Sequence, residues 1–154
     1  MKNRSNMLVT KEFKFSAAHF LTQYHGQCEY LHGHNYRLQV TIQGPKFKNG
    51  MVVDFGILKK VVKEKVIDKL DHKNLNDFLK NPSAENIAVW IWGKLKDFGN
   101  LLKQEQSDPN VPEDLKKIIN NDSSTIKKEV NSEGIKLYEI KLWETDENCI
   151  IYRG

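Results

Sequence analysis

The sequence predicts an α+β fold: a four-stranded antiparallel sheet in the order strand, strand, helix, helix, strand, strand, with both helices on one face. Two observations lead there. At both ends of the chain, segments alternate apolar and polar residues and are linked in pairs by short polar connections, the pattern of antiparallel neighbours. The middle of the chain instead spaces its apolar residues three and four apart, as helices with one buried side do.

The first strand covers residues 8–20. Val9, Lys11, Phe13, Phe15, Ala17 and His19 share one face, while Thr10, Glu12, Lys14 and Ser16 share the other. After the polar connection TQYHGQCEY a second strand runs over residues 32–43, with His34, Tyr36, Leu38, Val40 and Ile42 together, and Gly44-Pro45 to Asn49-Gly50 reads as a turn. Asp54 is the N-cap of a helix carrying Phe55, Leu58, Val61, Val62, Ile67 and Leu70. Pro82-Ser83 opens a second helix with Ile87, Ala88, Ile91, Leu95 and Phe98 on one side. Residues 99–134 read as a polar excursion with a short helix over PEDLKKII. Strands over 135–145 and 149–153, the first with Tyr138, Ile140, Leu142 and Glu144 on one face, flank the turn DEN. Two helices cover only one side of such a sheet, and a partly open opposite face favours oligomerisation.

Bulk composition narrows the classes. A chain of 154 residues makes one domain, residues 1–154, large enough to bury a core without metal or disulfides. The residues are 39% hydrophobic and 29% charged, ordinary for a soluble globular protein. No apolar run is long enough to span a bilayer and the N-terminus lacks a signal-peptide core, so no membrane partner and a cytoplasmic location are expected. Cys28 and Cys149 lie far apart in unlike contexts and form no disulfide framework. The net charge of +4 comes from scattered lysines rather than a basic block, which reads as a solvated surface and not a nucleic-acid face.

The stretch CEYLHGH, residues 28–34, concentrates the chemistry. In an extended segment His32 and His34 lie on one face and can reach one metal ion. His19 ends the apolar face of the neighbouring strand, and a tight return through residues 21–31 brings it alongside. Three imidazoles without a fourth close ligand form the pattern of a catalytic zinc site with an open position. His25, in the loop, carries no such argument. Cys28 leaves two readings open. As a fourth ligand it closes the site and makes it structural; standing off the metal, it is a thiol whose ionisation a nearby dication favours, suited to act as a base or nucleophile. Asp71-His72, on the residues alone, reads as a helix C-terminus with a surface histidine. Glu144 ends an apolar row, or simply marks where the strand meets solvent.

Six stretches together resemble the 6-pyruvoyl-tetrahydropterin synthase / 6-carboxytetrahydropterin synthase family: FSAAH (15–19), CEYLHGHNY (28–36), MVVDFGILK (51–59), LDHKNLND (70–77), NPSAENIAVWIW (81–92) and WETDENCIIYRG (143–154). They occur in the family's order over most of the chain outside 99–134. The resemblance implies the tunnelling fold, a four-stranded antiparallel sheet with two helices. Such chains assemble into β-barrel oligomers, usually homohexamers with active sites between subunits. It also implies Zn2+ bound by His19, His32 and His34, Cys28 as catalytic proton acceptor, Asp71 and His72 as its relay, and Glu144 holding the pterin and joining the relay. Ser83 stands where threonine is expected, and its hydroxyl can still serve the pterin pocket; Ala84 replaces a further small polar residue.

The implied substrate is 7,8-dihydroneopterin triphosphate. The three-residue gap between Cys28 and His32 is similar to that of the bacterial carboxy-forming enzymes of queuosine biosynthesis. Glu29 adds a second motif: relatives that carry such a glutamate and lack the cysteine cleave the side chain to 6-hydroxymethyl-dihydropterin for folate. C-E-x-x-H-G-H, with both, resembles the dual-motif subgroup, which implies either reaction; the bystander reading of Glu29 stands beside it. The same residues also fit formation of 6-pyruvoyl-tetrahydropterin, or a non-enzymatic structural zinc module closed by Cys28 and the three histidines.

Overall fold

The structure is a computed structural model that describes residues 5–22, 26, 29–107, 110 and 134–154. Its frame is a long hairpin. β1 (Asn6–His19) and β2 (His32–Pro45) pair antiparallel along their whole length, from Asn6 opposite Pro45 to His19 opposite His32. As the alternation predicts, Phe15, Ala17 and His19 face inward with Tyr36, Leu38, Val40 and Ile42, all buried. Phe15 stacks on Tyr36 with ring centroids 4.8 Å apart, a favourable cross-strand pair. The opposite face carries polar pairs instead: Thr10 bonds Thr41, Gln39 donates to Glu12, and Ser16 donates to Asn35.

Helix α1 begins as an α-helix over Phe55–Val62, passes through a π-helical turn, Lys63–Ile67, and ends in a last α turn, Asp68–Leu70. Asp54 caps it by accepting the N–H groups of Gly56 at 2.7 Å and Ile57 at 3.1 Å. Leu58, Val62, Val66 and Leu70 fill the core from this helix. Helix α2 (Ala84–Leu95) starts at its N-cap Ser83 and buries Ile87, Ala88, Ile91 and Leu95. β4 (Lys136–Trp143) pairs with β2, and β5 (Cys149–Tyr152) pairs with β4.

Three features differ from the sequence expectation. The sheet is mixed and has five strands, ordered β3-β1-β2-β4-β5, because a two-residue strand β3 (Lys73–Asn74) runs parallel to Ala17 and Ala18 of β1. Two residues offer no alternation to read, so this strand is invisible to periodicity. A third helix, α3 (Phe98–Ser107), occupies the start of the stretch expected to be a polar excursion. Phe98, expected at the end of the preceding helix, instead forms a buried i, i+4 pair with Leu102, and Lys60 on α1 pairs with the buried Glu105. The expected short helix over PEDLKKII lies outside the described residues. On β4 the register against β2 shifts between Thr41 and Ile42, so Leu137 rather than Tyr138 takes the inward place opposite Ile42. Tyr138 meets Arg153 instead, at 5.6 Å from its ring. No helix among the described residues is long and apolar enough to cross a membrane.

Candidate metal centre and active site

The hairpin register creates the centre. His19 sits directly opposite His32, and His34 lies two residues along β2 on the same face. The three ring centroids are 4.6, 5.1 and 4.8 Å apart, and one ligand atom from each ring falls within 4.8 Å of the others. His19 is almost fully buried, at 1% exposure. Below it, Tyr36 places its hydroxyl 3.5 Å from both His19 ring nitrogens. Burial, reinforced by the charge of Glu144, pushes the Tyr36 phenol well above its ordinary pKa and keeps it neutral.

Two backbone carbonyls decide which nitrogens face the centre. Pro82 O lies 2.6 Å from His19 Nδ1, and Tyr30 O lies 2.7 Å from His32 Nδ1. A carbonyl only accepts, so both Nδ1 atoms carry protons, and in the neutral rings both Nε2 atoms present lone pairs. Those two Nε2 atoms are 3.1 Å apart. Facing lone pairs at that distance repel unless a proton or a cation lies between them. The separation is close to the roughly 3.3 Å expected of two imidazoles on one tetrahedral zinc with bonds of about 2.0 Å. His34 Nε2 is buried and has no hydrogen-bond partner. Desolvation holds the His34 pKa below its ordinary value; Glu144 opposes that, and the other two histidines reinforce it. The donor set therefore fits a metal ion: three basic nitrogens converge, and one of them is orphaned without it. Glu144, just beyond β4, aims its carboxylate at the same point, with Oε1 3.7 Å from His34 Nε2 and Oε2 3.8 Å from His19 Nε2.

Asp71 and His72 occupy a different place, against the outer edge of β1. Asp71 Oδ1 accepts the Ser16 N–H at 2.9 Å, and the His72 N–H donates to the Ser16 carbonyl at 2.6 Å. His72 takes a φ of +58°, the only left-handed non-glycine conformation among the described residues, and its side chain is 83% exposed. Its Nδ1 lies 3.0 Å from Asp71 Oδ2. The Ser16 N–H above all holds the Asp71 carboxyl below the usual carboxylate range; desolvation opposes it, and the hydrogen bonds and charge of His72 add to the lowering. His72, but not Asp71, borders a recess of about 460 Å³ that His34, Ala18, Gly33, Asn35 and Lys73 also line.

A family model for 6-pyruvoyl tetrahydropterin synthase matches residues 8–119. The chain belongs to that family. It is 31% identical over 149 residues to the 6-carboxy-5,6,7,8-tetrahydropterin synthase of Haemophilus influenzae, covering 94% of this chain and 97% of the relative. It is 45% identical over 82 residues to the dihydroneopterin monophosphate aldolase of Pyrococcus furiosus, covering 53% and 68%. Among solved structures, the 6-pyruvoyl tetrahydropterin synthase of Caenorhabditis elegans superposes with a TM-score of 0.68 at 26% identity over 100% of this chain and 99% of that one. The resemblance read from the six sequence stretches is thereby borne out, and membership of this synthase family supports a lyase-type enzyme of pterin synthesis.

Within this family frame the structure brings His19, His32, His34 and Glu144 together and sets Asp71–His72 apart as a second group. No hydrogen bond or ion pair joins the two groups among the described residues. Cys28 and His25 lie outside the described residues. Glu29 is exposed, its N–H bonded to the Gly26 carbonyl at 3.1 Å, one residue before the Tyr30 carbonyl that orients His32. Ser83 uses its Oγ as a helix cap, accepting the Asn86 N–H at 3.2 Å, and its O–H remains able to donate. Sequence reasoning missed the Tyr30 and Pro82 carbonyls that set the histidine tautomers. Every residue has a carbonyl, so no side-chain signal distinguishes these two.

Proposed function

We propose that this chain is a zinc-dependent lyase that converts 7,8-dihydroneopterin triphosphate and water to 6-carboxy-5,6,7,8-tetrahydropterin, triphosphate and acetaldehyde. The observation that carries the reading is the convergence of three histidine nitrogens, two of them tautomer-fixed by carbonyls and the third orphaned, beside a carboxylate. His19, His32 and His34 would hold the zinc through these atoms. When bound, zinc supplies Lewis acidity that acidifies the C–H bonds next to the substrate's side-chain hydroxyls.

The remaining roles fall to the chain's own groups. Cys28, as thiolate, takes and returns protons at the side-chain carbons. Asp71 fixes the orientation of His72, and His72 exchanges protons with the thiol. The exposure of His72 and its strained backbone suit a group that meets partners beyond its own chain, in keeping with a homohexamer whose sites lie between subunits. Glu144 accepts the paired N–H groups of the pterin in charge-assisted hydrogen bonds, and Ser83 adds a hydroxyl contact. The route needs no redox cofactor, because the ring is reduced at the expense of the side chain. Queuosine-type 7-deazaguanine synthesis in the cytoplasm is the setting such a product implies.

Glu29 supports a second reading, in which it replaces Cys28 as base and yields 6-hydroxymethyl-7,8-dihydropterin for folate. The favouring observations are its exposure beside the metal-facing turn and the identity shared with the Pyrococcus relative. Incubating the zinc-loaded protein with dihydroneopterin triphosphate and identifying the pterins by mass tests both readings. 6-Carboxytetrahydropterin with acetaldehyde supports the first, a hydroxymethyl product the second, and unchanged substrate contradicts both.

A further inference from the structure

We propose that Asn76 is a positioning residue for His19 and thereby sets the affinity of the metal centre, an inference that rests on reading His19, His32 and His34 as metal ligands. His19 is the last residue of β1, so the sheet does not hold the chain beyond it. Asn76 supplies that hold. Its Oδ1 accepts the Phe20 N–H at 2.8 Å, and its Nδ2 donates to the Phe20 carbonyl at 2.9 Å. One primary amide thus satisfies both backbone groups of the residue next to the ligand, as a neighbouring strand would. This fixes the chemistry of position 76. Aspartate can accept but not donate, glutamine carries its amide one carbon too far, and leucine does neither.

Asn76 is itself held in place. Its N–H donates to Asn74 Oδ1 at 3.2 Å at the start of a single 3-10 turn, Leu75–Asp77, whose Leu75 is fully buried. The same loop grips the segment a second time. Asn81 Oδ1 accepts the Thr22 N–H at 3.1 Å, while the Asn81 carbonyl accepts from Ser83 N–H and from Asn86 Nδ2. Those bonds locate Pro82, whose carbonyl accepts the hydrogen bond from His19 Nδ1–H. The main chain after His19 and the ring of His19 are therefore fixed by one loop. Losing the Asn76 clamp lets the main chain move relative to the carbonyl that orients the ring, which misaligns Nε2.

Partners behind ligating histidines commonly change metal affinity by 10–100-fold, and a clamp one bond further back belongs at the lower end, about tenfold. The test compares wild type, Asn76→Ala, Asn76→Asp and Asn49→Ala. It measures zinc affinity by competition with a chromophoric chelator, the visible spectrum of the cobalt-substituted protein, and the melting temperature of the metal-free protein. Asn76→Ala should bind zinc about tenfold more weakly, with shifted cobalt bands. Asn76→Asp, which keeps the Phe20 N–H bond, should fall between it and wild type. Asn49→Ala removes a comparable side-chain bond to Met51 N–H, in the turn that follows β2 at the end away from His32, and should bind as wild type does. Unchanged affinity in folded Asn76→Ala, or equal weakening in Asn49→Ala, overturns the proposal. If Asn76→Ala does not fold, Asn76→Asp decides, and wild-type affinity there overturns it. Failure of the wild type to bind either metal overturns the ligand reading itself, and the inference with it.

Discussion

His34→Ala separates a metal ligand from a merely packed imidazole, because the metal-free and zinc-bound proteins should respond differently. Without metal, His34 Nε2 is buried and unpartnered, while the side chain as a whole remains 18% exposed. Leaving such a polar atom unsatisfied costs about 1–3 kcal/mol. Truncation to alanine relieves that cost and loses ring packing of similar size, so the two effects nearly cancel. About 1 kcal/mol shifts the melting temperature of a chain this long by roughly 2–4 °C, so the metal-free variant should melt within about 4 °C of wild type. With zinc at a hundred times its dissociation constant, binding to the folded state alone adds about 2.7 kcal/mol, a rise of roughly 5–10 °C. Removing one of three ligands should abolish most of that rise. Thermal unfolding followed by circular dichroism, with and without zinc, reads both quantities. A variant that keeps the full zinc-induced rise, or whose metal-free form melts far below wild type, refutes the reasoning.

Cys28→Ala should retain zinc and lose turnover, whereas Glu29→Ala should retain formation of the carboxy product; zinc content and product mass report each outcome. Asp71→Asn should lower stability at neutral pH, since a carboxylate held below its ordinary pKa stabilises the fold above its unfolded-state value. That contribution disappears as pH falls through the folded-state value, so denaturant midpoints of variant and wild type should converge in the acid range below the usual carboxylate pKa. Leu102→Ala should cost about 2–5 kcal/mol in chemical denaturation, because Leu102 packs α3 into the core and is not part of a polar excursion.

The parts of this protein that follow a period were legible in its sequence. Alternation placed Phe15, Ala17, His19, Tyr36, Leu38 and Val40 on the covered face, and the hairpin register then delivered the three histidines to one point. Asp54 and Ser83 announced their helices through capping chemistry. Features set by single contacts were not legible. The bulge at Tyr138 arises from pairing with β2, and β3 exists because Ser16 bonds the backbone after α1. Helix α3 was hidden by length and composition, since Phe98 and Leu102 are few apolar residues within a polar stretch. At the site, the three converging histidines showed in the residue types, whereas the tautomers of two of them depend on the carbonyls of Tyr30 and Pro82.

The coordination of zinc in the loaded protein tests the account most directly, and X-ray absorption at the zinc edge measures it. Three histidine nitrogens at about 2.0 Å with one light-atom ligand and no sulfur are predicted, leaving Cys28 free to act as base. A sulfur at about 2.3 Å would contradict the account, placing Cys28 on the metal and closing the site.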